Sequence, residues 1–245
     1  MLINGTQYRS VWWEDDCLCM IDQNKLPFEF SIVRLETFQQ VAEAIRHMTV
    51  RGAPAIGAAG AYGLAMAARV APDGSFRSFI REAKEFLAST RPTAIDLYNA
   101  LEFVYDEVLK FIPNYDHARQ VALLSAEDFV RDSAAECLAL GEHGADLIED
   151  GDRILTHCNA GALATVDWGT ALSPIRLAHR QGKKIFVYVD ETRPRFQGAR
   201  LTAFELEQEG IPHAIITDAA AGYFFWKREI DLVIVGADRI CLNGD

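Results

Sequence analysis

Asp152-Arg153-Ile154-Leu155-Thr156-His157-Cys158-Asn159-Ala160-Gly161-Ala162-Leu163-Ala164-Thr165 is the stretch on which the fold of this chain turns. Arg153 to His157 has the apolar, β-forming character of a short buried strand. A cysteine ends it, and small residues with a glycine turn the chain toward an expected helix over 163–180. A strand that passes through such a turn into a helix N-terminus offers backbone N–H groups to an anion. A thiol at that mouth would sit at the positive end of the helix.

The same texture continues downstream. Lys184–Val189, His213–Thr217 and Leu232–Val235 read as further short strands, with helical stretches expected over 199–209 and 219–228. Strands alternating with helices imply a parallel sheet covered on both faces. In such sheets ligands lie beyond the carboxyl ends of the strands. Those ends carry Cys158-Asn159-Ala160-Gly161, Asp190-Glu191-Thr192-Arg193-Pro194, Asp218-Ala219 and Gly236-Ala237-Asp238-Arg239. No GxGxxG and no P-loop occurs, so neither a dinucleotide nor a nucleoside triphosphate is indicated. The last residues, Cys241-Leu242-Asn243-Gly244-Asp245, form a strand-end loop with no helix after it, so the sheet is expected to be incomplete at the C-terminus.

Working back toward the N-terminus, residues 1–36 alternate and hold β-formers: Ser10 to Trp13, Cys17 to Ile21 and Phe28 to Val33. Turn-like Glu14-Asp15-Asp16 and Asn24-Lys25-Leu26-Pro27 separate them, as in a small antiparallel sheet. Val41, Ile45 and Met48 then share one helical face. Arg51-Gly52-Ala53-Pro54 breaks the pattern, with proline placed for the first turn of a buried helix over 55–70. Helices are also expected over 75–88, 94–111 and 115–149, the last broken near Ala134. The fold class expected is α/β: residues 1–120 as an N-terminal sheet and helix domain, and 121–245 as a parallel-sheet domain covered by helices and expected to be incomplete at its C-terminal end.

The composition, 50% hydrophobic and 24% charged over 245 residues, is that of an ordinary globular protein. A net charge of −11 disfavours nonspecific contact with nucleic acid or an anionic membrane. No signal peptide or membrane span is read, the apolar run Ala53–Ala68 being short and interrupted by glycine and proline. Cys17, Cys19, Cys137, Cys158 and Cys241 match no zinc or disulfide spacing, so a cytoplasmic protein with reduced thiols and no metal is expected.

Two residues stand out for chemistry. Most free cysteines are small buried hydrophobes, but Cys158 ends a strand just before a glycine turn. Asp238 follows the apolar run Leu232 to Ala237, where a carboxyl group is expected to be partly desolvated, which suits a general acid, or else to cap a helix. His157 and Cys158, as strand neighbours, should face opposite sides, which leaves His157 a structural role. Arg51 precedes Gly52 and Ala53, small residues that let an anion approach backbone amides. Arg91 sits between two helices. Arg193 and Arg200 are open to the same use, whereas Arg195 reads as a surface cation. Gln197, before Gly198, could reach a ligand hydroxyl. Tyr223-Phe224-Phe225-Trp226 is an apolar cluster suited to a subunit interface.

Five linked segments carry a resemblance: Val50 to Gly57, Thr90 to Ala94, Thr156 to Gly161, Glu191 to Thr202 and Gly236 to Ile240. In order and together they are similar to the family of methylthioribose-1-phosphate isomerases, initiation factor 2B regulatory subunits and ribose-1,5-bisphosphate isomerases. The resemblance runs from about Ile21 to Asp245 and is strongest toward the methylthioribose branch. It implies an aldose–ketose isomerase of methionine salvage with a sugar 1-phosphate substrate, no cofactor, and a homodimer formed through the Rossmann-like domain. It implies Cys158 and Asp238 as the catalytic pair, and Arg51, Gly52, Ala53, Arg91 and Gln197 as substrate contacts. The alternatives within the family are a ribose-1,5-bisphosphate-type isomerase and a noncatalytic regulatory subunit.

Overall fold

The alternating residues near the N-terminus pair as they should. Among the described residues, 1–244 of this computed structural model, β1 (Leu2–Ile3) and β2 (Thr6–Gln7) form a short hairpin. Then β3 (Val11–Glu14), β4 (Cys17–Ile21) and β5 (Ile32–Leu35) form an antiparallel sheet. Val11 opposes Met20 and Leu18 opposes Leu35, which sends one face of β4 into the core. The third strand was expected from Phe28, but it begins at Ile32. Phe28 and Glu29 instead donate their N–H groups to the Lys25 carbonyl, closing a turn that leaves Phe28 exposed.

Helix α1 (Phe38–Arg46) starts with a reciprocal cap between Thr37 and Gln40. Helix α2 (Ala53–Val70) is buried without a break from Ala55 to Ala68. Its glycines permit close helix packing. A Cβ on Gly57 would lie 2.9 Å from the Asp96 carbonyl oxygen, and one on Gly60 would lie 2.3 Å from a Leu97 methyl. Both neighbours belong to the first turn of α4 (Ile95–Leu109), which follows α3 (Phe76–Ala88). Helix α5 (Tyr115–Ala145) runs uninterrupted. The expected break near Ala134 is absent because Ala134 is a strong helix former facing the core. Gly141 and Gly144 are close-packing sites against Ser173 and Pro174, not breaks.

After α5 the parallel sheet appears: β6 (Arg153–Thr156), β7 (Phe186–Asp190), β8 (His213–Ile216) and β9 (Leu232–Val233), in spatial order β8-β7-β6-β9. Helices α6 (Leu172–Arg180), α7 (Ala203–Gln208) and α8 (Ala221–Trp226) connect them. A π-helical turn over Gly198–Thr202 leads into α7, and a 3₁₀ turn over Asp218–Ala220 leads into α8.

Two compact units result. One holds Arg9–Glu136 and Leu163–Asp167; the other holds Met1–Tyr8, Cys137–Ala162 and the chain from Trp168 onward. The domain boundary expected at residue 120 falls inside α5, and the chain changes unit after Glu136. No helix of the described residues is long and apolar enough to cross a membrane, and the five cysteines are unbridged.

The helix expected over 163–180 begins only at Leu172. Backbone groups from Leu163 to Val166 are committed to tertiary partners instead of a helical ladder. Gln23 Nε2 donates to the Leu163 carbonyl at 2.7 Å, Ala55 N–H to that of Ala164 at 3.2 Å, and Ser10 N–H to that of Val166 at 3.0 Å. Trp168 and Gly169 then turn through positive φ, 67° and 87°. No helix N-terminus follows Cys158 directly, so the anion-binding argument built on one does not hold there.

Candidate active site

The strand order decides where a site belongs. From β6 the chain steps outward to β7 and then β8, and then crosses back to place β9 on the opposite side of β6, so the direction of winding reverses there. The crevice at such a reversal, beyond the carboxyl ends of the strands, is where open α/β sheets bind ligands. Cys158 follows β6 and Asp238 follows β9, the two strands that flank it. The pairing extends past β9, with Ile234 N–H donating to the Leu155 carbonyl at 3.0 Å. Their loops then touch. A Cβ on Gly236 would stand 2.8 Å from the Ala160 Cβ, so only glycine lets the Asp238 loop lie this close to the Cys158 loop. Cys158 is half-buried, whereas Asp238 is exposed: the partial desolvation expected of it is absent, because Val233 and Val235 of the strand before it are themselves exposed.

Cys158 has a left-handed backbone, φ 63°. Its N–H donates to Thr192 Oγ1 at 2.8 Å, and its carbonyl accepts from Thr202 Oγ1 at 2.6 Å. Thr192 belongs to the loop after β7, and Asp218 holds that loop: its carboxylate oxygens accept the N–H groups of Thr192 and Arg193, each at 2.8 Å. These backbone donors, that of Arg193 first, hold the Asp218 carboxyl below the usual aspartate range. Gln197 lies between this loop and Gly198, the start of the π-helical turn. A Cβ on Gly198 would be 1.8 Å from the Asp190 carbonyl oxygen, so the turn sits directly on the end of β7.

His157 was expected to be structural. It is exposed, and its Nδ1 lies 2.8 Å from Asp190 Oδ2. Burial pushes the Asp190 carboxyl up, against the lowering pull of His157. His157, Asp190 and Asp218 each bring a donor atom within 4.8 Å of the others, a set of types that can hold a cation. The His157–Asp190 contact has hydrogen-bond length, however, and both Asp218 oxygens already accept amides. The group is built as a hydrogen-bonded brace.

Beyond Cys158 the loop is moulded on a buried carboxylate. Glu205 accepts from Asn159 Nδ2 at 2.9 Å, from Ala162 N–H at 2.8 Å and from the Arg176 guanidinium, and Arg176 Nε donates to Glu209 at 2.9 Å. Arg176 and Glu205 are each 1% exposed. Gly161 lies flat against the Glu205 carboxylate, with no room for a Cβ.

The other expected site residues lie in the first unit. Gly52 caps α2 with φ 96°, and a Cβ there would fall 2.2 Å from the Ala164 carbonyl oxygen. Arg51, Gly52 and Ala53 thus sit at the N-terminal end of an 18-residue helix. The Thr90–Ala94 turn carrying Arg91 leads into α4, whose first turn lies on Gly57 of α2. Both segments therefore belong to one end of the helical bundle. Arg193 stacks over the Phe196 ring at 5.2 Å, and Arg195 is exposed.

Comparison with known proteins assigns a family. The profile of the Initiation factor 2 subunit family matches residues 49–245. The chain belongs to this family. A methylthioribose-1-phosphate isomerase from Roseiflexus castenholzii is 51% identical, over 98% of this chain and 70% of its own length. The crystal structure of 5-methylthioribose 1-phosphate isomerase from Pyrococcus horikoshii matches 98% of this chain and 68% of its own with TM-score 0.92 and 39% identity. A structure titled translation initiation factor eIF-2B, subunit delta, from A. fulgidus matches 96% of this chain and 69% of its own with TM-score 0.87 and 46% identity.

Within this family's Rossmann-like half, the residues that carry the Cys158 loop had no role assigned from sequence: Thr192, Thr202, Glu205, Arg176, Asp190 and Asp218. The two aspartates follow apolar strand residues, the same signal that marked Asp238. Nothing local in the sequence marks Glu205 or Arg176, because their pairing joins α6 to α7.

Proposed function

We propose that this chain is an aldose–ketose isomerase that converts S-methyl-5-thio-α-D-ribose 1-phosphate to S-methyl-5-thio-D-ribulose 1-phosphate, a step of methionine salvage. One observation carries the proposal: the loops bearing Cys158 and Asp238 meet at the reversal point of the parallel sheet. The names of the Roseiflexus and Pyrococcus relatives support it. The phosphate ester on C1 prevents simple opening to an aldehyde, so the ring bond must break by acid assistance. Asp238 gives a proton to the ring oxygen, which takes the electron pair of the broken C1–O bond. Hydrogen at C2 moves to C1 with help from Cys158, and the C2 hydroxyl gives its proton to the Asp238 carboxylate as it becomes the carbonyl, which restores the acid. Substrate and product are isomers, so no external oxidant or reductant is consumed. Arg51, Gly52, Ala53 and Arg91 hold the phosphate through guanidinium groups and helix-end amides, and Gln197 reaches a sugar hydroxyl. The enzyme acts in the cytoplasm as a homodimer formed through the Rossmann-like half. Exposed Tyr223, Phe225 and Trp226 on α8 support that interface, and the net charge of −11 speaks against a nucleic-acid partner.

A second reading has one finding in its favour: the A. fulgidus structure, 46% identical, is titled as an initiation factor subunit. A noncatalytic subunit needs neither the thiol nor the carboxyl. The deciding experiment measures turnover of methylthioribose 1-phosphate and of ribose 1,5-bisphosphate by the purified protein. Preferential turnover of the methylthio sugar supports the proposal. Binding without turnover overturns it in favour of the regulatory reading, and preference for the bisphosphate moves it to the other isomerase.

A further inference from the structure

The backbone of Cys158 is strained, and two threonines account for its persistence. A residue with a Cβ is disfavoured in the left-handed region, and such a conformation survives only where the surroundings over-determine it. We infer that Thr192 and Thr202 are positioning residues, whose hydroxyls grip the two peptide groups flanking Cys158 and fix the direction of its thiol. The inference rests on Cys158 being the reacting thiol of the proposed isomerase.

The hydrogen bonds have a forced direction. Thr192 Oγ1 donates its single proton to the Asp190 carbonyl at 3.1 Å, so toward Cys158 N–H, 2.8 Å away, it can only accept. Thr202 Oγ1 donates to the Cys158 carbonyl at 2.6 Å, which leaves its lone pair for Asn159 Nδ2 at 3.2 Å. Each hydroxyl therefore does two things at once, and a methyl group in its place loses both.

Both threonines are themselves held. Thr192 has φ 60°, and Asp218 clamps its N–H and that of Arg193. Thr202 is 1% exposed and ends the π-helical turn that Gly198 seats on β7. A π turn inserted before a regular helix is a device found often at functional sites. Here it brings the Thr202 hydroxyl to the carbonyl of Cys158, while the β7 loop brings Thr192 to the opposite side of the same residue. The grip thus comes from two different connections of the sheet.

The test uses Thr192→Val, Thr192→Ser, Thr202→Val and Thr202→Ser in the full chain. Three quantities are measured: kcat and KM for methylthioribose 1-phosphate, the iodoacetamide alkylation rate of Cys158 by peptide mass mapping, and hydrogen exchange at the Cys158 amide. Each valine variant should lose about tenfold in kcat with KM little changed, the size of the one hydrogen bond that it removes from Cys158 itself. Thr192→Val should also speed exchange at the Cys158 amide about tenfold, and the alkylation rate should shift in both valine variants. The serine variants keep the hydroxyl and should recover most of each loss. Valine variants that match the parent in all three readouts overturn the inference, as do serine variants that fall as far as valine. Should the parent protein show no turnover, the isomerase reading fails separately, and amide exchange and alkylation alone decide the grip. Should Thr202→Val not fold, the Thr192 pair of variants decides it in the same way.

Discussion

Gly161→Ala tests the claim that the loop after Cys158 is moulded on Glu205. Gly161 does not have positive φ, so added backbone strain is not the issue; the new methyl group is. It would fall 2.4 Å from one Glu205 carboxylate oxygen and 2.5 Å from the other. Ordinary contact requires about 1 Å more. The carboxylate cannot retreat without breaking bonds to Asn159 Nδ2, the Ala162 N–H or Arg176, all in a region closed to water. Overpacking a tight site costs roughly 1–3 kcal/mol, and losing a hydrogen bond to a buried charge costs about 1.5–3 kcal/mol. A total near 3 kcal/mol corresponds to a fall in Tm of about 6–12 °C for a chain of this size. Thermal unfolding followed by circular dichroism reads it. Gly222→Ala is the control, since a Cβ there meets nothing within 4 Å and the residue lies in α8. Its Tm should hold or rise, as alanine favours the helix by roughly 0.5–1 kcal/mol. A Gly161→Ala protein melting within about 2 °C of the parent, less than 1 kcal/mol, would show that the Glu205 contact is slack and refute the reasoning.

Four further outcomes follow from the same geometry. Glu205→Gln should lower Tm more than a surface change, because it removes one of the two buried carboxylates that Arg176 binds and weakens a charge-assisted hydrogen bond of about 1.5–3 kcal/mol, while Glu209 still holds the guanidinium; a melt matching the parent would mean that the pair is dispensable. Asp218→Asn should alter the acid limb of stability. The folded carboxyl binds its proton less readily than the unfolded one, so its contribution is present above about pH 4 and is lost as pH falls through the lowered value. Melts between pH 3 and 6, a range bracketing about pH 4, should therefore be less pH-dependent in the variant; an unchanged slope would discount the Asp218 brace. Cys158→Ser should fold as the parent does and lose about 100-fold or more in turnover; near-parental turnover would reduce the thiol to packing. Asp238→Asn should bind substrate yet stall ring opening, a loss in kcat; a loss confined to KM would mean that the carboxyl only positions substrate.

The parts of the fold that follow from local pattern were readable in advance. Four parallel strands came within a few residues of their places because apolar runs bounded by turns need no distant partner to be recognised. The run Leu163 to Val166 was misread as helix for an equally physical reason. Small apolar residues suit a buried helix, and nothing in them reveals that Ser10, Gln23 and Ala55 will claim their carbonyls. The same blindness hid Thr202 and Glu205. A threonine or glutamate in an amphipathic stretch looks solvent-facing until the neighbouring connection is placed against it. The positions of Cys158 and Asp238 beyond β6 and β9 were legible because each follows an apolar strand, and strand ends can be read from local pattern.

Overall likeness cannot separate the two functions borne by this family's names. The Pyrococcus isomerase and the A. fulgidus factor superpose on this chain almost equally, at TM-scores of 0.92 and 0.87, and the one titled as a factor is the more identical of the two. What remains to discriminate them is chemistry held in place at a cost. A binding module has no reason to keep a cysteine in a left-handed backbone at the reversal of the sheet. Nor has it reason to clamp that cysteine between two threonines while a glycine admits the Asp238 loop beside it. Other residues share the left-handed backbone, Thr192 and Phe196 among them, so it is the threonine contacts on both sides of Cys158, and not its φ alone, that add to the isomerase proposal, which rests first on relatives such as the 51% identical isomerase.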